Sequence, residues 1–184
     1  LKIKYNEELG ISIDKLTIPC VLDKNIELEK KISKDIVIGY VGDARFEKGF
    51  HHLPWIVRFL KKPHFSNFKL KFRIQSFIPN EFSPLKKFFL KYLVKRLTLP
   101  DVELLVKNLN SNEYIEFINS IDVLLVIYDA KSYKRRSSAV FAEAVGLGIP
   151  CIIPENTSMS NSIFINNELK YKDKKEIKSV FKNL

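Results

Sequence analysis

The sequence predicts an α/β protein built on a Rossmann-like, doubly wound parallel sheet. Three observations carry that expectation. Short β-branched runs alternate with segments of helical periodicity. The segments between successive runs are long enough to serve as helical crossovers, which parallel strands require. Two unusual loops, 42–50 and 129–138, each follow a predicted strand whose neighbours place both at one crevice.

Residues 1–33 read as a polar lead-in or interdomain segment, and 34–184 as the domain itself. Lys34–Gly42 (KDIVIGYVG) is a mostly apolar, β-branched run ending in glycine, as a buried strand would be. Phe50–Lys62 places apolar residues at 53, 56, 57 and 60, a helical spacing that stops before Pro63. In Lys69–Gln75, Leu70, Phe72 and Ile74 alternate with Lys69, Lys71, Arg73 and Gln75, which predicts a strand with one partly exposed face. Ser83-Pro84 opens a helix running to about Leu97, with proline in the first helical position. Val102–Val106 is a short strand, and Ser111–Ser120 a helix with Ser111 as its cap. Asp122–Tyr128 (DVLLVIY) is a buried strand. Ser138–Leu147 is a helix closed by Gly148 and Pro150. Cys151–Ile153 is a last short strand, and a charged helix starts near Lys172. The expected strand order is 3-2-1-4-5, with the ligand crevice outside the carboxyl ends of strands 1 and 4.

Composition narrows the function classes. Hydrophobic residues make up 46% of the 184, so the chain can bury a core. Cys20 and Cys151 are too few and too far apart for a disulfide framework, which fits a reducing cytoplasm. Every apolar run is shorter than the roughly 20 residues that span a bilayer. The chain opens on Leu1 with no initiator Met and no signal-peptide pattern, as an excised segment would. The net charge of +10 is concentrated. Between Arg58 and Arg96 eleven Lys/Arg face one acid, Glu81, and the remaining 20 basic and 20 acidic residues cancel. Such a stretch suits an anionic lipid surface, nucleic acid or a phosphorylated ligand.

The first loop, Gly42-Asp43-Ala44-Arg45-Phe46-Glu47-Lys48-Gly49, joins a strand to a helix. Its glycines permit a tight turn, and the helix start beyond offers free N–H groups to an anion. Arg45 supplies a planar fork and Lys48 a point charge, a suitable pair for a diphosphate. The loop shape alone is equally that of a solvated connection. It is neither a Walker loop nor a GxGxxG dinucleotide loop. The second loop ends in Ser137-Ser138, two hydroxyls at a helix start that can cap it or face a phosphate. Glu143 lies inside that helix among small and apolar residues. If buried, its carboxylate needs hydrogen-bond partners such as ribose hydroxyls.

These residues carry a resemblance. Tyr40–Phe50 (YVGDARFEKGF), together with Glu113–Thr157 and its SSxxFxEAxxxGxP motif, resembles the C-terminal half of GT-B glycosyltransferases, most of all bacterial enzymes of family 4. The likeness covers roughly residues 34–160. It implies the C-terminal domain of a GT-B fold that transfers a hexosyl group from a nucleotide-diphosphate sugar with retention. The implied setting is cell-surface polysaccharide or glycoconjugate synthesis, in the cytoplasm or peripherally at the inner face of the membrane. By the same resemblance, Gly42, Arg45, Lys48, Ser137, Ser138 and Glu143 bind the donor. Arg45 and Lys48 stabilise the leaving diphosphate in place of a metal ion, and no cofactor is needed. Ser137 and Ser138 meet phosphates or sugar, Glu143 holds the ribose, and backbone near Val106–Leu109 contacts the base. Two departures stand out. Arg135 occupies the place of a second glutamate eight residues before Glu143, and the spacing of Arg45 to Lys48 is shorter than in the commonest pattern, in which Arg directly follows Gly. The N-terminal acceptor domain of such enzymes is absent from this sequence, so the expected partners are that domain or a separate chain. The isolated chain is expected to bind donor without turnover.

Other features compete. Leu85–Leu97 is a basic amphipathic helix with apolar positions 85, 88, 89, 92, 93 and 97. That face packs on the sheet and leaves its lysines solvated, or it lies on an anionic membrane surface. His51-His52 has no further ligands at metal-binding spacing. Trp55 and the phenylalanines at helical spacing read as core. A non-catalytic partner subunit that supplies the donor domain is one alternative reading. A basic nucleic-acid-binding module is another, but no nucleic-acid-binding motif accompanies the charge, and nucleic acid is not an expected partner.

Overall fold

A computed structural model describes residues 35–61, 69–161, 169–173 and 175–182. The lead-in 1–33 and Cys20 lie outside the described residues. The strands are β1 (Asp35–Val41), β2 (Lys69–Gln75), β3 (Val102–Leu105), β4 (Val123–Leu125), β5 (Cys151–Pro154) and β6 (Lys170–Tyr171). They form one parallel sheet in the order β3-β2-β1-β4-β5-β6. The expected 3-2-1-4-5 winding is present, with a sixth strand added at the edge. Registers run Ile38↔Phe72 between β1 and β2 and Ile38↔Val123 between β1 and β4.

The helices are α1 (Leu53–Leu60), α2 (Pro84–Arg96), α3 (Ser111–Asn119), α4 (Ala139–Gly146) and α5 (Ile177–Lys182). Crossovers of one hand put successive helices on the same face until the winding reverses. Accordingly, one apolar cluster joins Leu53 and Ile56 of α1, Leu90 and Leu93 of α2, and Ile177 of α5 to Ile38 and Phe72 of the sheet. The other joins Phe117 and Ile118 of α3 and Phe141 and Ala144 of α4 to Val41 and Leu124. The reversal falls between β1 and β4, whose carboxyl ends open the crevice.

Several local expectations are corrected. The cap of α3 is Asn110, not Ser111, because a capping box closes one residue earlier. Glu113 N donates to Asn110 Oδ1 at 3.0 Å, and Asn110 N donates to Glu113 Oε2 at 3.0 Å. The ladder of β4 ends at Leu125 rather than at Tyr128, although Val126–Tyr128 stay buried and Val126 N still donates to Ile152 O at 2.8 Å. Gly49, at φ 76°, is packed against this exit so closely that an added Cβ would lie 2.0 Å from the Ile127 carbonyl oxygen. Phe50–His52 is a 3-10 turn rather than the start of α1. The tail contributes β6 before α5. Tyr171 of β6 is buried, and its hydroxyl donates to Val126 O at 2.9 Å.

The basic helix is also turned from its expected setting. α2 buries Leu90 and Leu93, followed by Leu97, so its sheet-facing stripe is 90/93/97. Leu85, Phe88, Phe89 and Tyr92 point outward, with 80%, 73%, 41% and 49% of their surface exposed. Apolar residues on two sides of one helix defeat a single-face assignment. Trp55 is likewise not core: it is 46% exposed and stacks on Phe59 at 4.8 Å between ring centroids. Among the described residues no helix is long and apolar enough to cross a membrane.

Candidate functional site

Loop 1 leaves β1 and is fastened to β2. Gly42 N donates to the side chain of Gln75 at 3.1 Å, Ser76 Oγ donates to Gly42 O at 2.7 Å, and Ala44 N donates to Phe77 O at 2.8 Å. Gln75 is a buried strut, because its Nε2 also donates to Lys107 O at 2.6 Å. One side chain therefore sets the gap between loop 1 and the loop that leaves β3.

Asp43 holds both loop cations at once. Arg45 Nε lies 2.5 Å from Asp43 Oδ2, and Lys48 Nζ lies 2.6 Å from Oδ1. The Asp43 side chain is only 8% exposed, against 41% for Arg45 and 23% for Lys48. A buried carboxylate is tolerated when paired in this way. Arg45 also lies 3.8 Å from Glu81 and 4.0 Å from Glu47, so the two cations are shared among three carboxylates, with the guanidinium as a solvent-facing part. Sequence reasoning missed Asp43; its place between Gly42 and Arg45, one residue from a cation, was the available signal.

Loop 2 leaves β4 and folds against loop 1. Asp129 N donates to Glu47 O at 2.8 Å, so the two loops converge at the reversal point. Asp129 Oδ1 accepts from Ser132 N at 2.8 Å, and the hydrogen bonds from Ser132 hold its carboxyl below the ordinary value. Tyr133 turns inward onto Tyr128, with ring centroids 4.3 Å apart. Burial pushes Tyr128 up to about 12, and burial likewise holds Tyr40 well above the ordinary tyrosine value. The hydroxyls behind the loops therefore stay protonated and remain donors: that of Tyr40 donates to Lys48 O at 3.2 Å.

Ser138 is the N-cap of α4. Its Oγ accepts from Phe141 N at 3.2 Å, lies 3.3 Å from the Tyr128 hydroxyl, and is buried. Ser137, Lys134, Arg135 and Arg136 are exposed on the loop. Glu143, on α4, is half-buried and accepts a hydrogen bond from the Tyr114 hydroxyl of α3. Tyr114 is a second residue that the sequence reading did not single out. Its position on the helix facing α4 follows from the topology, not from a motif.

A cleft of about 600 Å³ opens between these elements. Gly42 lines it on one side, Glu143 and Val140 on another, and Asn108, Asn110 and Tyr114 on a third. Arg45, Lys48, Ser137 and Ser138 are not among its walls. Lys48 lies beside the glycine that lines it, since a Cβ on Gly42 would sit 3.4 Å from Lys48 Nζ. The structure thus brings Gly42 and Glu143 to one opening, with Lys48 beside Gly42 outside its walls and Arg45 joined to Lys48 through Asp43. Among the described residues no group of three or more His, Cys, Asp or Glu could hold a metal ion. The rings of His51 and His52 lie 3.6 Å apart between centroids, tilted by 47°.

No family model and no curated protein sequence matches this chain. Solved structures do. The C-terminal domain of a glycosyl transferase group 1 family protein (LpcC) from Francisella tularensis aligns with a TM-score of 0.56 and 16% identity over 81% of this chain and 74% of that one. The catalytic domain of starch synthase IV from Arabidopsis thaliana, bound to ADP and acarbose, aligns with a TM-score of 0.58 and 14% identity over 85% and 32%. A UDP-forming α,α-trehalose-phosphate synthase from Burkholderia xenovorans, in complex with glucose-6-phosphate, aligns with a TM-score of 0.56 and 12% identity over 81% and 35%. This chain has the fold of a GT-B C-terminal domain. It matches about three quarters of one such domain and about a third of each synthase. In a GT-B C-terminal domain of this winding, the cleft between loop 1, α3 and α4 lies at the carboxyl ends of the strands, where open α/β sheets take their ligands.

Proposed function

We propose that this chain is the nucleotide-sugar-binding domain of a glycosyltransferase of the hexosyltransferase type, acting with retention in surface polysaccharide or glycoconjugate synthesis. The observation that carries the reading is the shared opening of Gly42 and Glu143 at the winding reversal, with Lys48 next to Gly42. The nucleoside enters the cleft beside Asn108 and Tyr114, and Glu143 accepts from the ribose hydroxyls. The diphosphate then reaches the rim of loop 1, where Arg45 and Lys48 neutralise it. As the glycosidic bond breaks, charge grows on the diphosphate, and two fixed cations lower that barrier as a metal ion would elsewhere. ADP in the starch synthase neighbour, and UDP-2-fluoro glucose in an E. coli neighbour with a TM-score of 0.57, support this class of ligand.

Calorimetric titration of the chain with UDP, GDP and ADP tests it. One of the three should bind, and Arg45→Ala and Glu143→Ala should each weaken it roughly ten- to hundred-fold, since a hydrogen bond to a charged group contributes about 1.5–3 kcal/mol. Equal binding by both variants and the parent removes the reading. The same reading expects donor binding without transfer from the chain alone, with transfer restored by an acceptor domain. Transfer to any acceptor by the isolated chain contradicts that part.

A further inference from the structure

The basic excess of this sequence is not spread evenly once ion pairs are drawn. Lys61 and Lys69 both meet Asp101, at 3.4 and 3.3 Å. Lys71 meets Asp35 at 2.6 Å, and Arg73 meets Glu103 at 2.6 Å. By contrast, among the described residues none of the five cations of α2 (Lys86, Lys87, Lys91, Lys95 and Arg96) has an acidic partner within 4.0 Å. No acid occurs between Phe82 and Pro100. Among the described residues, five cations without an acidic partner are therefore gathered on this helix, and Lys131, Lys134, Arg135 and Arg136 form a smaller such group on loop 2.

That helix also carries the outward apolar group. Leu85, Phe88 and Tyr92 lie on one side of it at i, i+3, i+7 spacing, and Phe89 joins them. Phe89 stacks on Phe46 of loop 1 with centroids 6.1 Å apart, and the ammonium of Lys86 sits 3.5 Å from the centre of the Phe82 ring. Arg96 Nη1 donates to the Tyr92 hydroxyl at 2.9 Å. Lys91 and Lys95 follow Phe88 at positions that flank the apolar stripe, and both are exposed. An apolar stripe bordered by unpaired lysines, with no acid to repel a phosphate, matches the charge and polarity of an anionic bilayer surface.

We propose that α2 docks the protein on an anionic lipid bilayer. Leu85, Phe88, Phe89 and Tyr92 enter the headgroup layer, and Lys91, Lys95 and Arg96 meet lipid phosphates. Sheet packing through Leu90, Leu93 and Leu97 holds the helix in this orientation, so docking requires no unfolding. The surface lies outside the cleft's walls and meets loop 1 at Phe46, so failure of bilayer docking would leave the proposed donor site untouched.

The test is sedimentation of the full chain with vesicles of phosphatidylcholine alone and of phosphatidylcholine mixed with phosphatidylglycerol. Binding is expected only to the mixed vesicles, and it should weaken as salt rises. The double variant Lys91→Gln/Lys95→Gln should bind roughly thirty-fold more weakly, at about five-fold per lysine near a charged surface. Phe88→Ser should lose about ten-fold or more by removing one anchor from the interface. Both changes are at exposed positions, so an unchanged melting temperature confirms that the loss is at the surface. Binding to neither vesicle, equal binding by parent and variants, or a self-associated chain that Phe88→Ser disperses would overturn the proposal.

Discussion

Asp43 takes both cations of loop 1 through different carboxylate oxygens, and this changes what each predicted residue does. Arg45 and Lys48 were legible as a basic pair, but their common holder was not, because the sequence shows adjacency and not which oxygen faces which nitrogen. Ser138 was legible as a cap, and its hydroxyl is taken up in that role. Two glycines give a sharper test of the loop geometry. At Gly49 an added methyl meets a backbone carbonyl at 2.0 Å, whereas at Gly148, with φ 70°, it meets nothing within 4 Å. Gly148→Ala should therefore cost only the left-handed backbone penalty of about 1–2 kcal/mol. Gly49→Ala should cost clearly more, and equal shifts in urea midpoint would contradict the packing. Burial pushes the Cys151 thiol up to about 12, so it should resist a disulfide reagent at pH 8 until denaturant is added. Rapid labelling of Cys151 in a folded Cys20→Ser variant would contradict its buried setting.

Among the elements, those with strict patterns were read closely and those with mixed patterns were not. β2 was legible from its alternation, and its bounds match Lys69–Gln75. α2 was legible as a helix but not in its orientation, since Leu85, Phe88 and Tyr92 repeat as regularly as Leu90, Leu93 and Leu97. Only the position of the sheet decides which row is inside. β6 holds two residues, too short for any periodicity to show. The connections between elements are where pH acts. Asp101 is held below its ordinary value by hydrogen bonds from Lys69 and then Lys61, and Glu113 by Lys107 and the Asn110 backbone. Their folded values lie below the unfolded ones near 4. Their contribution is therefore fully present above about pH 4 and is lost as pH falls through the folded values. The urea midpoint should hold from neutrality to mild acid and decline below about pH 4. A midpoint that rises on acidification would contradict these pairings.

For the whole molecule, the winding was legible because two loops of unusual composition follow the first and fourth strands. That coincidence selects the order in which those strands are neighbours. The cleft itself was less legible. Gly42 and Glu143 were named from sequence, whereas Gln75 and Tyr114 reach it through pairings 32 and 29 residues apart, of Gln75 with Lys107 and of Tyr114 with Glu143. Long-range partners leave no local signature in residue type. The central claim is that a nucleoside diphosphate occupies this cleft with its phosphates at loop 1. The most direct measurement is a map of backbone amide chemical shifts during titration with the nucleoside diphosphate that binds. The account predicts the largest changes at Gly42–Lys48, Asn108–Tyr114 and Val140–Glu143, with α2 silent. Changes confined to Lys86–Arg96, or spread without focus over the basic surface, would contradict it.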